Sequence, residues 1–217
     1  MNVTWNTLLL VPFYSFHACF VYSCFNHHYK ITPSVFNSWM KILGQVEGSV
    51  LWLSDGNITG ISNLKNEAEK RGIDSKRLIF APRLDLREDH LKRIKLSDLF
   101  LDTLPYNAHA TTSDALQVGL PVLTRIGESF ASRVAASLIN SVNLTELITE
   151  TQEQYEEMAI GIAKDTEKLK SIREKLKSNL PLSPLYNTPL YVKQLESAYQ
   201  EMYKRSQNGL EPDHIYV

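Results

Sequence analysis

Short apolar runs alternate with polar stretches of helical period from residue 19 to about residue 140. The runs cover 19–25, 49–53, 78–80, 99–102 and 121–124, and each is rich in Val, Leu, Ile or Phe, as strands buried on both faces are. Between them the apolar spacing changes to three and four. Thr32 and Pro33 form an N-cap and first-turn pair ahead of Val35, Trp39, Ile42, Leu43 and Val46, which share one helical face. Gly72 supplies the stop for the helix that carries Leu64 and Ala68. Strands joined by helical crossovers pair in parallel with right-handed connections, so the pattern predicts a doubly wound α/β sheet with helices on both faces.

Beyond residue 140 the strand pattern stops, and Lys, Glu and Gln dominate three predicted helices over 151–164, 166–179 and 188–206. The last carries Leu190, Val192, Leu195, Ala198, Tyr199 and Met202, a single apolar face that either packs on the sheet or receives a partner. The expected organisation is a leader over 1–18, a nucleotide-binding type of lobe over 19–140, a helical extension packed on it over 141–206, and a loose tail over 207–217.

With 217 residues, 43% of them hydrophobic and 22% charged, the chain can bury one large core. Its 23 basic and 24 acidic residues leave a net charge of -1, so no global field recruits nucleic acid or an anionic membrane. Cys19 and Cys24 are the two cysteines. On one strand they would stand roughly 16 Å apart on opposite faces, beyond disulfide reach. That usage predicts a reducing, cytoplasmic setting, in which the sequons at Asn2, Asn57 and Asn143 carry no meaning. The apolar run over 8–25 has no basic residue ahead of it and is interrupted by Pro12, Ser15, His17 and Ser23. It is read as irregular chain entering a buried strand, not as a signal or a membrane span.

Ligands of open parallel sheets bind beyond the carboxyl ends of the strands, and here those ends are polar. The first run is followed by Asn26, His27, His28, Tyr29 and Lys30, and the third by Arg83, Asp85, Arg87, His90 and Arg93. The fourth leads through His109 and Ala110 to Thr111, which with Asp114 spells a T-x-x-D capping box. A helix starting there turns free amides and a positive dipole end toward the crevice, an anion site suited to a diphosphate; the plain alternative is a well-capped helix. Lys30, from a neighbouring strand end, adds a point charge for phosphate. His90 and Arg93, three apart on a helix, either frame a flat polar ring such as a nucleobase or form a solvated face. No G-x-G-x-x-G, Walker-type or G-x-S-x-G pattern occurs, and no zinc cluster or Asp-x-Asp pair. A bound phosphate is therefore expected to be neutralised by protein groups, with no metal and no cofactor.

The segments FNHHYKI at 25–31, SVLWL at 49–53, LDTLPYNAH at 101–109, TTSDAL at 111–116 and GESFASRVAAS at 127–137 resemble the carboxyl-terminal catalytic lobe of the O-linked N-acetylglucosamine transferases of glycosyltransferase family 41, bacterial and SPINDLY-like members included. The resemblance runs from about residue 19 to the end. It implies the Rossmann-like carboxyl-terminal lobe of a GT-B glycosyltransferase, holding the UDP part of a UDP-N-acetylglucosamine donor for inverting transfer to Ser or Thr of a protein acceptor. By position, Lys30 is similar to the lysine on the diphosphate that stabilises the departing UDP. His109, Ala110 and Thr111 are similar to the helix-start triplet at the phosphates, and Asp114 to the aspartate on the ribose. Arg87, His90 and Arg93 fall where the family places ribose and uracil contacts, with the backbone near Asp85. His27 stands where animal members often carry glutamine, and Ala110 replaces a threonine, leaving backbone donation there. Residues 1–18 do not resemble the family, and neither the amino-terminal lobe nor tetratricopeptide repeats are present, so the chain is expected to be a partial gene product carrying no general base. Two functional readings follow: the donor-binding half of a protein O-glycosyltransferase, or a non-catalytic UDP-sugar-binding or interaction fragment that needs a partner lobe. The resemblance leaves the sugar open, since SPINDLY-like relatives use fucose from a GDP donor.

Overall fold

Runs of β-branched and large apolar residues fill both faces of a buried sheet, and they become its strands. A computed structural model describes residues 19–217; expectations for the leader lie outside the described residues. Strand β1 spans Val21–Cys24, β2 Val50–Ser54, β3 Leu78–Ala81, β4 Leu99–Leu101 and β5 Val122–Arg125, each within about two residues of its apolar run. A sixth strand, β6 at Ile148–Thr149, corrects the expectation that strands stop at residue 140. It is two residues long and pairs with the end of β5, too short for an apolar run to announce it. All pairings are parallel, in the order β3-β2-β1-β4-β5-β6.

The helices are α1 (Pro33–Gln45), α2 (Ile58–Glu69), α3 (Arg87–Ile94), α4 (Ala110–Gln117), α5 (Val134–Ser141), α6 (Gln152–Lys164), α7 (Thr166–Asn179) and α8 (Thr188–Gln207). Helix α1 starts as its sequence predicts: the Thr32 hydroxyl accepts from the Val35 amide at 3.3 Å, and Pro33 occupies the first turn. Its face of Phe36, Trp39, Ile42 and Leu43 is buried. Gly72, at φ +75°, takes the left-handed turn after α2 that an L side chain rarely adopts.

Helix α6 packs into the core. Its Tyr155, Ala159 and Ile162 are buried; the Tyr22 hydroxyl donates to the Ala159 carbonyl at 2.9 Å, and the Tyr155 hydroxyl to the Asp102 carbonyl at 3.0 Å. The Trp39 indole donates to Tyr155 at 3.2 Å, so α1, α6 and the end of β4 are pinned to one another. Helix α8 departs from the expectation that the extension packs on the lobe, for it buries none of its residues. Its Arg205 donates to the Glu211 carbonyl, in the chain after it, at 2.6 Å. Among the described residues no helix is long and apolar enough to cross a membrane. Both cysteines are free thiols.

Candidate functional site

The strand order reverses between β1 and β4, and the carboxyl ends of those two strands open the crevice in which ligands of this fold sit. Asn26 leaves β1 fully buried and bridges the crevice floor. Its Nδ2 donates to Thr103 Oγ1 at 2.8 Å, and its Oδ1 accepts from Thr111 Oγ1 at 2.7 Å. A 3₁₀ turn at His28–Lys30 then brings the Lys30 ammonium to the loop after β4, where it donates to the Asn107 carbonyl at 2.8 Å and lies 3.7 Å from the centroid of the Tyr106 ring. Burial holds Lys30 below the usual lysine pKa, against the opposing pull of the Asp102 carboxylate.

Asp102 organises that loop from beneath. Its Oδ1 accepts from the Thr103 amide at 2.7 Å and the Ala108 amide at 2.6 Å, and its Oδ2 from Thr124 Oγ1 at 2.7 Å. Burial nevertheless pushes its pKa up to about 7, the donors only partly offsetting the loss of water. The loop is closed further by Asn107 Nδ2 donating to the Thr103 carbonyl at 2.8 Å and by the Asn107 amide donating to the Ala131 carbonyl at 2.9 Å.

The capping box read from Thr111 and Asp114 does not form. Helix α4 begins two residues earlier than that box requires, with His109 at the N-cap and no side-chain cap. The Thr111 hydroxyl is taken by Asn26, the Thr112 hydroxyl donates to the Ala108 carbonyl at 3.0 Å, and Asp114 pairs with Arg87. The first amide to pair inside the helix is Ser113, with the His109 carbonyl, so the amides of Ala110, Thr111 and Thr112 have no intrahelical acceptor. A positive helix end stands beside Lys30 without a carboxylate side chain to cap it.

The remaining residues singled out from sequence divide into two groups. His27 and His109 sit at the mouth: the His27 ring is 4.7 Å from Tyr29, and the His109 ring 5.1 Å from Tyr106. Arg87, at the start of α3, spans to α4, donating to Asp114 and, at 2.8 Å, to Gln117. Asp85 is exposed on the loop before α3. Arg93 is neither solvated nor paired with His90 as two open walls of a base site. It is 6% exposed, donates to the Pro82 carbonyl at 2.5 Å and to His90 Nδ1 at 2.9 Å, and packs over Phe25. Burial, with Arg93 adding to it, holds the His90 pKa below its usual value, and a neutral ring that accepts at Nδ1 carries its proton on Nε2.

The loop after β5 buttresses the site. Gly127 donates to the Ser132 carbonyl at 2.9 Å and accepts from Arg133 at 2.9 Å, which places Ala131 to receive the Asn107 amide. A Cβ at Gly127 would stand 2.4 Å from Ser132 Oγ and 2.7 Å from its Cβ. Gly127→Ala is therefore expected to destabilise the chain by about 1–3 kcal/mol in urea unfolding, since the clash must shift backbone.

Asn26, Asp102, Tyr106 and Asn107 shape the site although sequence reasoning assigned them no role. Asn26 and Asp102 each end an apolar run with a polar side chain, a signal that was legible; the roles of Tyr106 and Asn107 depend on Lys30 arriving from 77 residues away. Among the described residues no group of three or more His, Cys, Asp or Glu is placed to hold a metal ion.

A parallel sheet in this order, with a basic group and a helix amino end meeting at its switch point, defines the Rossmann-like carboxyl-terminal lobe of a GT-B glycosyltransferase. The chain belongs to glycosyl transferase family 41, whose model matches residues 13–195. It is 34% identical over 199 residues to the probable UDP-N-acetylglucosamine–peptide N-acetylglucosaminyltransferase SEC of Arabidopsis thaliana, covering 91% of this chain and 20% of that protein. It is likewise 34% identical to the UDP-N-acetylglucosamine–peptide N-acetylglucosaminyltransferase of Caenorhabditis elegans, covering 90% of this chain and 17% of that protein. The chain thus spans about a fifth of the length of the curated relatives it matches. Among solved structures, a mutant O-GlcNAc transferase of Thermobaculum terrenum superposes with a TM-score of 0.79 at 33% identity, over 85% of this chain and 36% of that one. Anabaena HepE in complex with UDP shares the fold, with a TM-score of 0.63 at 14% identity over 90% of this chain and 53% of that one.

Proposed function

We propose that this chain is the donor-binding lobe of a UDP-N-acetylglucosamine-dependent protein O-glycosyltransferase that inverts the anomeric centre. The observation that carries the reading is the meeting of the Lys30 ammonium with the uncapped amino end of α4 at the β1/β4 switch point. In this reading the diphosphate lies across the amides of Ala110 and Thr111, with Lys30 on the β-phosphate. Asp114 receives the ribose hydroxyls beside Arg87, and the uracil lies against His90 and the backbone near Asp85. Arg93 acts behind His90, fixing its tautomer. His27 faces the sugar end.

The acceptor Ser or Thr hydroxyl attacks the anomeric carbon as the bond to the β-phosphate oxygen breaks, and the bonding electrons leave with UDP. The acceptor proton passes to a base, a role we assign to none of the described residues. Charge growing on the leaving oxygen is met by Lys30 and by helix donors already aimed at it. Protein groups carry that charge, without a metal.

Calorimetry tests the reading. The 217-residue chain is expected to bind UDP more tightly than GDP by at least about tenfold, or ~1.4 kcal/mol. Equal affinity for the two nucleotides, or none for either, contradicts the UDP assignment. Transfer of radiolabelled sugar to protein by the isolated chain would contradict the assignment of this lobe to donor binding alone.

A further inference from the structure

An ammonium has three N–H donors, and two of those on Lys30 are engaged in the structure. One goes to the Asn107 carbonyl at 2.8 Å; the Tyr106 ring, its centroid 3.7 Å from Nζ, covers another. A cation over an aromatic face is attracted by the ring quadrupole, and the attraction strengthens where water is partly excluded. The backbone that carries the ring is held, and the ring has aromatic neighbours. The Tyr106 carbonyl accepts from Thr103 Oγ1 at 2.7 Å, and the ring meets those of His109 at 5.1 Å and Tyr29 at 6.2 Å.

We propose that Tyr106 is a positioning residue for Lys30: its ring and the Asn107 carbonyl together hold the ammonium so that one N–H remains, presented to the departing phosphoryl oxygen. This rests on the donor-site reading and adds a residue to it. A lysine stem has four rotatable bonds, and an ammonium left to sample water would have to be ordered each time a diphosphate bound. With the ring beneath it, that ordering is done before the ligand arrives. Tyr106 need not touch the nucleotide; it acts through Lys30.

The test uses the full chain carrying Tyr106→Phe or Tyr106→Leu, each alone and combined with Lys30→Ala, titrated with UDP by calorimetry. Tyr106→Leu is expected to weaken UDP about three- to tenfold, and Tyr106→Phe, which keeps the ring, by no more than about twofold. In the Lys30→Ala background Tyr106→Leu is expected to cost nothing further. Equal losses in both backgrounds, or a Phe variant as weak as the Leu variant, overturn the proposal. A second readout needs no nucleotide: the Lys30 Cε protons, lying over a ring, are expected to resonate upfield, and to return to ordinary positions with Leu but not with Phe. Unshifted Lys30 protons in the unaltered chain overturn the proposal even if UDP binds. If UDP fails to bind the unaltered chain, the donor-site reading falls, while the ring shift still decides the role of Tyr106. Should the Leu variant not fold, the shift in the unaltered chain and its survival in the Phe variant decide it.

Discussion

Replacing Lys30 by alanine is expected to lower glycosyl transfer on the order of a hundred- to a thousandfold in an enzyme built on this lobe, the loss typical of removing one preorganised donor to a developing anion. The effect belongs to the transition state. In the ground state the diphosphate still meets the amides of Ala110 and Thr111, so UDP binding falls less steeply than turnover. Stability is expected to change little, because Lys30 is only half-buried and its one polar partner is a carbonyl at the mouth of the site. A radiolabelled-sugar assay run beside a thermal melt separates the two effects. Unchanged turnover removes Lys30 from the mechanism; a collapse of the melt would mean a structural role instead.

The second large effect is expected at Asp102, and on stability. Its carboxylate is the common acceptor of the Thr103 and Ala108 amides and the Thr124 hydroxyl, and it is fully buried. Asp102→Ala leaves two buried amides without an acceptor, at a cost of about 3–4 kcal/mol in urea unfolding. Asp102→Asn keeps an oxygen for the two amides, and its NH₂ can donate to the Thr124 hydroxyl, so the penalty should be much smaller. Charge adds a pH signature. With a folded pKa of about 7 against ~3.9 unfolded, the folded state holds a proton between those values that the unfolded chain has released. The contribution of this group to stability is then greatest below pH ~4, declines by at most ~1.4 kcal/mol per pH unit as pH rises toward 7, and is level above it. The Asn variant lacks that slope, so its disadvantage should shrink as pH rises from 4 to 7. A constant difference between the two chains over that range would show that Asp102 does not titrate there.

The sheet and the starts of α1, α6, α7 and α8 were legible because each rests on local pattern. Thr32 and Pro33 begin α1 as expected, and the five longer strands follow their apolar runs. What escaped depends on partners distant in sequence. The T-x-x-D box of Thr111 and Asp114 is a sound local signal, yet Asn26 captures the hydroxyl from 85 residues away and Arg87 captures the carboxylate from 27. The polar face expected at His90 and Arg93 is turned inward because the Pro82 carbonyl, 11 residues back, offers the guanidinium an acceptor. The Asp102 network gathers donors from Thr103 and Ala108 of the loop before α4 and from Thr124 of β5, an arrangement that no spacing along the chain encodes. The apolar stripe of α8 was legible as a stripe, but its exposure was not, since periodicity reports a face and not what covers it.

The central claim is that a diphosphate sits at the amino end of α4 on protein donors alone. Titrating the chain with UDP in the presence of a metal chelator, while following backbone amide resonances, tests it most directly. The expected result is saturable binding with the largest shifts at Ala110, Thr111 and Thr112, and marked weakening by Lys30→Ala. Binding that vanishes with the chelator, or that leaves those three amides unmoved, contradicts it.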